Sequence, residues 1–250
     1  MELLNIEIEI NSICNRKCDY CPVSIMEIPK GDKYIDQELF DIFIFRLNEI
    51  NYSGRISFHL YNEPLLHKGL EDLVFKLLSK VPSCKPILFT NGDLLTEARY
   101  NSLMKSGVSK IVITSHSGKE HPKRPDQIVQ FPKELDLTNR GGKLESLPKC
   151  TFEHLNSKCY APSEMFVISI TGDVLLCYED ANRNNVLGNI KNKSFKEIYY
   201  SERYTNLRNA LTRGNRSKAA DICKLCTNLA HSKSGRSDQS EKFWEIISND

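Results

Sequence analysis

The chain has 250 residues, 40% apolar and 26% charged, which excludes a disordered, collagenous or coiled-coil protein and leaves room for one large or two small domains. Thirty-four Lys and Arg against 32 Asp and Glu give a net charge of +2, too balanced to argue for nucleic acid or an anionic membrane as a partner. No apolar run approaches a bilayer span, and residues 1–10 alternate apolar with acidic side chains where an export signal has a basic start and an apolar stretch, so a cytoplasmic protein is expected. Residues 4–10 read as the first strand, and a loop bearing Cys14, Cys18 and Cys21 follows it. A helix is expected over 36–50, a strand over 55–60, a helix over 68–80 and a strand over 86–90. The next helix, 96–106, opens on Thr96 and stops before Gly107, as capping chemistry prefers. Strands over 110–114 and 134–138 complete this part.

The texture changes near Arg140-Gly141-Gly142. Residues 166–170 and 174–177 flank Thr171-Gly172-Asp173 as a hairpin, Gly172 supplying the turn conformation. Helices follow over 194–201 and 202–213, the first opening on Ser194 with Glu197 three residues later, a capping box. Residues 232–240 are polar and read as a mobile stretch, and the Trp244 segment as a short helix. The first part is an α/β pattern of parallel strands with crossover helices. Five strands are too few to close an eight-stranded barrel, so a partial (β/α) barrel is expected, with ligands at the carboxyl ends of its strands. The expected division is a barrel domain over 1–145, a small hairpin and helix domain over 146–235, and a tail over 236–250.

Nine cysteines in a chain expected in a reducing compartment point to metal instead of disulfides. Cys14-x3-Cys18-x2-Cys21 places three thiolates on one loop, enough to hold three irons of a cubane cluster and leave the fourth iron open. A zinc loop is the alternative, but its second ligand pair would normally lie nearby. The second group, Cys159, Cys177, Cys223 and Cys226, lies far along the chain and is complete in itself. Four thiolates saturate one cluster, making an electron carrier or a structural staple, with a four-cysteine zinc knuckle as the alternative.

The three-cysteine spacing, with the aromatic Tyr20 before the third, resembles the signature of radical S-adenosylmethionine (radical SAM) enzymes. Tyr61-Asn62-Glu63-Pro64 matches the family's Gly-Glu-Pro, with Asn62 replacing the customary Gly, and Thr90-Asn91-Gly92 and Thr114-Ser115-His116 follow at later strand ends. The second cysteine group resembles the twitch domain, a short form of the SPASM extension. The resemblance implies two 4Fe-4S clusters and S-adenosyl-L-methionine, with Tyr20, Glu63, Asn91 and Ser115 at the cofactor, and an external one-electron donor such as flavodoxin or ferredoxin.

Asn139-Arg-Gly-Gly142 and Glu179-Asp180, among other segments, resemble the aminocyclitol dehydrogenases of that family. Such enzymes oxidise a secondary alcohol to a ketone through a 5′-deoxyadenosyl radical, with the auxiliary cluster as electron acceptor, in antibiotic biosynthesis. The resemblance puts Arg140 at the family's proposed base and Tyr61, Phe89, Tyr178 and Glu179 at a small-molecule alcohol, Phe89 replacing a tyrosine. A guanidinium is a poor base, so the easier role for Arg140 is to orient the alcohol and stabilise charge on its oxygen. Glu179 and Asp180 are expected to face the gap between the clusters.

His59, inside a strand, reads as a packed, hydrogen-bonded residue, and His116, at a strand end, has the better claim to the site. Cys84 reads as inert packing. Cys150 is a spare thiol which, if it donated hydrogen to a substrate radical, would make the enzyme an epimerase of a sugar or peptide. A zinc-binding, non-catalytic scaffold is the alternative from a different class.

Overall fold

In the computed structural model the described residues are 1–25 and 33–234. The Trp244 segment and everything from 235 onward lie outside them. Eight strands form one open sheet in the order β5-β4-β3-β2-β1-β6-β7-β8. They are β1 (Asn5–Ile8), β2 (Arg55–Ser57), β3 (Lys85–Thr90), β4 (Lys110–Thr114), β5 (Gln127–Gln130), β6 (Met165–Ile168), β7 (Asp173–Leu175) and β8 (Val186–Asn189). Pairing is parallel from β5 through β1 to β6 and antiparallel along β6-β7-β8. This is the expected α/β partial barrel, extended by the C-terminal hairpin.

The helices form where caps and apolar spacing agree. Helix α1 (Gln37–Glu49) starts because the Asp36 side chain accepts from the amides of Glu38 and Leu39, and it buries Leu39, Phe40, Phe43, Ile44 and Leu47 on one stripe. Helix α2 (Leu70–Lys80) buries Leu70, Leu73, Val74 and Leu77. Helix α3 (Glu97–Ser106) is capped by Thr96 and ends on Gly107 at φ +104°, a conformation that costs glycine little. These stripes meet Ile6, Ile8, Ile56 and Leu88 in the main core. Alternation along the strand therefore turns Asn5 and Glu7 to the opposite face, where the Ser57 hydroxyl donates to Asn5 Oδ1 at 3.2 Å.

The expected fifth strand, 134–138, is not formed. The strand beside β4 is Gln127–Gln130, where β-branched Ile128 and Val129 pair with Val112 and Ile113. Pro132 then opens a single 3-10 turn over Pro132–Glu134, and the alternating Leu135 and Leu137 run on only half-buried.

Beyond it, Gly172 at φ +87° turns β6 into β7 as expected. Strand β8 and three short helices, α4 (Phe152–Asn156), α5 (Ala161–Glu164) and α8 (Asp221–Leu225), carry too few residues for a periodic signal. The remaining two, α6 (Phe195–Tyr199) and α7 (Glu202–Thr212), match expectation, and Ser194 and Glu197 form the capping box. Of the polar stretch 232–240, the described part is tied down: Ser232 N donates to Leu229 O at 2.9 Å and Ser234 Oγ to Glu164 Oε1 at 2.6 Å. Among the described residues no helix is long and apolar enough to cross a membrane.

Candidate active site

The loop after β1 is anchored before it reaches its cysteines. Asn11 Nδ2 donates to Glu63 O at 3.0 Å, and Glu63 N to Ile13 O at 2.8 Å. Arg16 forks onto Asp93 with two 2.6 Å bonds, and Asn15 donates to Asp93 at 3.0 Å while accepting from Asn91 Nδ2 at 2.8 Å. The loop is thereby clamped to the end of β3. Burial raises the Cys14 thiol pKa, and the neighbouring Cys21 and Cys18 add to the shift, so the three sulfurs share one electrostatic environment. Arg16 N donates to Cys14 Sγ at 3.4 Å and His116 Nδ1 lies 3.7 Å from Cys18 Sγ. Three thiols on one loop fit a four-iron cluster with one iron left open.

Beside this loop stand the strand ends. Glu63, 2% exposed, accepts from Leu65 N at 3.0 Å and Thr90 Oγ1 at 2.7 Å through Oε1, and from Asn91 N at 2.8 Å through Oε2. Burial raises its pKa, against the pull of these donors. Tyr20 stacks on His116, ring centroids 5.8 Å apart, and its hydroxyl bonds His116 Nδ1. Ser115 is buried and its hydroxyl closes its own loop on Lys119 O at 2.8 Å. Asn62 folds back on the strand end, accepting from Leu60 N at 2.8 Å, so its amide serves as a turn group.

A second polar cluster lies on the inner face of the sheet. Arg140 and the two glycines after it all have positive φ, at 49°, 61° and 86°. That turn is held by Asn139, which donates to Pro148 O at 3.2 Å and Leu225 O at 2.8 Å and accepts from Gly142 N and Thr227 N. A Cβ on Gly142 would meet Leu225 Cβ at 2.9 Å, so only glycine lets the turn sit this close to α8. Arg140 Nη1 reaches Glu179 Oε1 at 3.5 Å, and its guanidinium lies 5.7 Å from the Tyr178 ring centroid. Glu179 Oε1 also accepts from Thr138 Oγ1 and Asn228 Nδ2, both at 2.9 Å. Burial lowers the Arg140 pKa, but the charge of Glu179, with Tyr61 and Tyr178, outweighs it and the net shift is upward. The Tyr61 hydroxyl donates to Tyr178 O, which joins the end of β2 to this cluster.

Asp180 does not share the site with Glu179, because its carboxylate caps the backbone amides of Asn184 at 3.1 Å and Asn185 at 2.7 Å. Two residues not counted into the site face it. His59 rests on Phe89, ring centroids 4.5 Å apart, with Nδ1 buried and unpartnered, so it is packed but not hydrogen-bonded as expected. Glu7 is 7% exposed with Oε2 unpartnered. Arg140 Nε and Glu179 Oε2 are unpartnered too. Four buried polar atoms lacking partners at one place mark a site built for a polar ligand. The signal for Glu7 was an acid on a strand covered on both faces, and such strands are normally apolar throughout.

Cys159, Cys177, Cys223 and Cys226 line one cavity with Tyr178 and Arg216. Burial raises the Cys177 thiol pKa well above its ordinary value, and Cys223 and Cys226 raise it further. Arg216, 1% exposed, ties the walls together by donating to Ser157 O at 3.0 Å, Lys158 O at 3.2 Å and Asn228 O at 2.8 Å. No local pattern in the sequence marked it. Four converging thiols beside a buried cation suit an anionic thiolate-ligated cluster. Cys150 does not line that cavity: its thiol donates to Thr151 O at 3.6 Å, and the nearby Arg216 charge acts on it. Cys84 is a buried thiol raised to about 11 by burial, as inert packing requires.

Residues 8–146 match the radical SAM superfamily, and residues 159–227 match the SPASM iron-sulfur cluster-binding domain. The chain belongs to the radical SAM superfamily. Among radical SAM relatives, the S-adenosyl-L-methionine-dependent 2-deoxy-scyllo-inosamine dehydrogenase of Niallia circulans is 38% identical over 236 residues, covering 90% of this chain and 93% of its own. The crystal structure of BtrN in complex with AdoMet and 2-DOIA aligns with a TM-score of 0.86 at 35% identity, over 95% of this chain and 99% of that one. An open conformation of BtrN aligns at 0.78 and 31% identity, over 96% and 97%. The radical SAM and SPASM matches together call for two iron-sulfur clusters, and the zinc scaffold falls.

Proposed function

We propose that this protein is a radical SAM dehydrogenase that oxidises a secondary alcohol of an aminocyclitol or sugar-like molecule to a ketone. The observation that carries this reading is the Arg140–Glu179 pair, set on the face of the sheet between the two thiolate sites and surrounded by unpartnered polar atoms. Cys14, Cys18 and Cys21 would hold the first cluster, and Cys159, Cys177, Cys223 and Cys226 the second. Tyr20, Glu63, Asn91 and Ser115 would line the S-adenosyl-L-methionine site, with Glu63 as the carboxylate for its amino group. Bound together, these groups supply hydrogen-atom abstraction from the carbinol carbon and a sink for one further electron.

The chain's own residues position the alcohol. Arg140 stays protonated, so it donates hydrogen bonds to the alcohol oxygen and stabilises negative charge there. Glu179 presents a free oxygen to a hydroxyl or an ammonium group. Tyr61 and Tyr178 wall the pocket, and Phe89 presents an apolar surface beside His59. An external one-electron donor such as flavodoxin or ferredoxin, in the cytoplasm, would reduce the first cluster. In the test, anaerobically reconstituted and reduced protein is incubated with 2-deoxy-scyllo-inosamine and related cyclitols. The expected result is equal amounts of 5′-deoxyadenosine and ketone. An inverted alcohol carrying solvent deuterium would overturn the reading and put an epimerase using Cys150 in its place.

A further inference from the structure

Oxidising an alcohol to a ketone removes a hydrogen atom from carbon, an electron and the hydroxyl proton, and the proton needs an acceptor near the Arg140–Glu179 pair. Arg140 is not that acceptor, because the charge beside it keeps the guanidinium protonated. Glu179 Oε1 is committed to Thr138, Asn228 and Arg140, and protonating this carboxylate would sacrifice its ion pair. The phenols of Tyr61 and Tyr178 are held protonated by burial, and both already make hydrogen bonds. His59 is pushed down to about 4 by burial and by Arg140, which leaves it a weak base.

Glu7 is different. It lies in the middle of the sheet on β1, in register with Ser57, and its nearest polar partner is the Asn5 amide at 3.4 Å from Oε1. Its Oε2 is buried with no partner. It shares a field with Arg140 and Tyr178, the residues that bracket the pocket on the Glu179 side. We propose that Glu7 is a catalytic residue, the carboxylate that accepts the hydroxyl proton of the substrate. The inference rests on the dehydrogenase reading. In the step, the substrate O–H bond breaks and a Glu7 O–H bond forms. The C–H hydrogen leaves as an atom to the adenosyl carbon of the cofactor, the second electron leaves to the C-terminal iron-sulfur centre, and the C=O bond closes. Burial raises the Glu7 carboxyl to about 8 against the pull of Arg140, so it can both take and release a proton near neutral pH. Among the described residues, the other ionisable side chains facing this pocket are Arg140, Glu179, His59, Tyr61 and Tyr178; Arg140 lowers the Glu7 carboxyl, and Glu7 in turn raises the Tyr178 phenol.

The test compares wild type with Glu7→Gln and Glu7→Asp, each reconstituted to the same iron content and checked for folding by circular dichroism. For Glu7→Gln the expected result is 5′-deoxyadenosine release within about threefold of wild type and ketone formation reduced by about 10²-fold, with partial recovery in Glu7→Asp. Wild-type ketone formation rises with pH around a midpoint near 8, and this dependence is absent in Glu7→Gln. Independently of turnover, infrared titration of the unreduced protein shows a carboxyl band with that midpoint, missing from Glu7→Gln. An unchanged ratio of ketone to deoxyadenosine in Glu7→Gln, whether or not substrate binds more weakly, overturns the proposal and reduces Glu7 to at most an anchor. Deoxyadenosine without ketone from the wild type overturns the dehydrogenase reading and the proposal with it.

Discussion

Two titratable residues facing the Arg140–Glu179 site, Glu7 and His59, pull the protein's stability in opposite directions with pH. Glu7 is raised by burial from 4.5 to about 8. Between these values the unfolded chain releases the proton that the folded chain keeps, so folded stability declines as pH rises from 4.5 through 8, by an amount on the order of 5 kcal/mol once the group is fully ionised. His59, lowered from 6.5 to about 4, refuses a proton that the unfolded chain accepts, and stability declines as pH falls from 6.5 toward 4. The stability gained by Glu7→Gln over wild type should therefore grow between pH 5 and pH 8, as measured by urea unfolding at matched iron content. A difference that stays constant across that range would mean the carboxyl ionises as freely in the folded protein as in the unfolded one. The same two residues show where the sequence was hard to read. Cysteine spacing, Glu63 after a strand and the Arg140-Gly-Gly turn are local signals carried by neighbouring residues in the chain. Glu7 joins the site because β1 pairs with β2 in a register that sets it opposite Ser57, and His59 because the chain continues two residues past β2, which stops at Ser57 short of the strand end expected at 60; the pairing is a long-range event that the sequence does not spell out.

Among the elements, an ion pair joins the residue that follows β1 to the loop after β7. Glu9, 1% exposed, accepts from Arg183 Nη2 at 3.0 and 2.8 Å and from Ile170 N at 2.9 Å. Arg183 itself has φ +56°, so the loop is bent to deliver it. Arg183→Met should leave a buried carboxylate with one backbone donor and destabilise the protein by about 3 kcal/mol, read as a drop in the unfolding midpoint. Glu9→Gln with Arg183→Met should recover most of that loss, because the stranded charge is then gone. Recovery failing to appear would assign the effect to the loop backbone instead of the charge. Elements with caps were legible from sequence, since Asp36, Thr96 with Gly107, and Ser194 with Glu197 each mark a helix end by a hydrogen bond made within one turn. The strand expected at 134–138 has the right alternation but no partner, and the true edge strand at Gln127–Gln130 is too short to stand out.

At the scale of the whole molecule, the sheet does not stop where the sequence changes texture. β1 is flanked by β2 on one side and by β6 on the other, and β1–β6 is a four-residue parallel ladder from Asn5↔Met165 to Ile8↔Ile168. The first strand is therefore central, and half of its backbone hydrogen bonding comes from the part of the chain that carries the second thiolate set. Arg140 and its glycines dock on α8 from the same part, through Ile222 and Leu225. A fragment of residues 1–145 would present the full edge of β1 to solvent, together with the apolar core side chains that Phe166, Ile168 and Phe195 cover. It should aggregate on expression or elute as oligomers in gel filtration. The full-length double variant Cys223→Ser/Cys226→Ser removes two of the four rear thiolates and no strand. It should remain folded and monodisperse with about half the iron of the wild type. A soluble, monomeric 1–145 fragment would show that the barrel strands hold together without their neighbour, and that the C-terminal part contributes only its cluster.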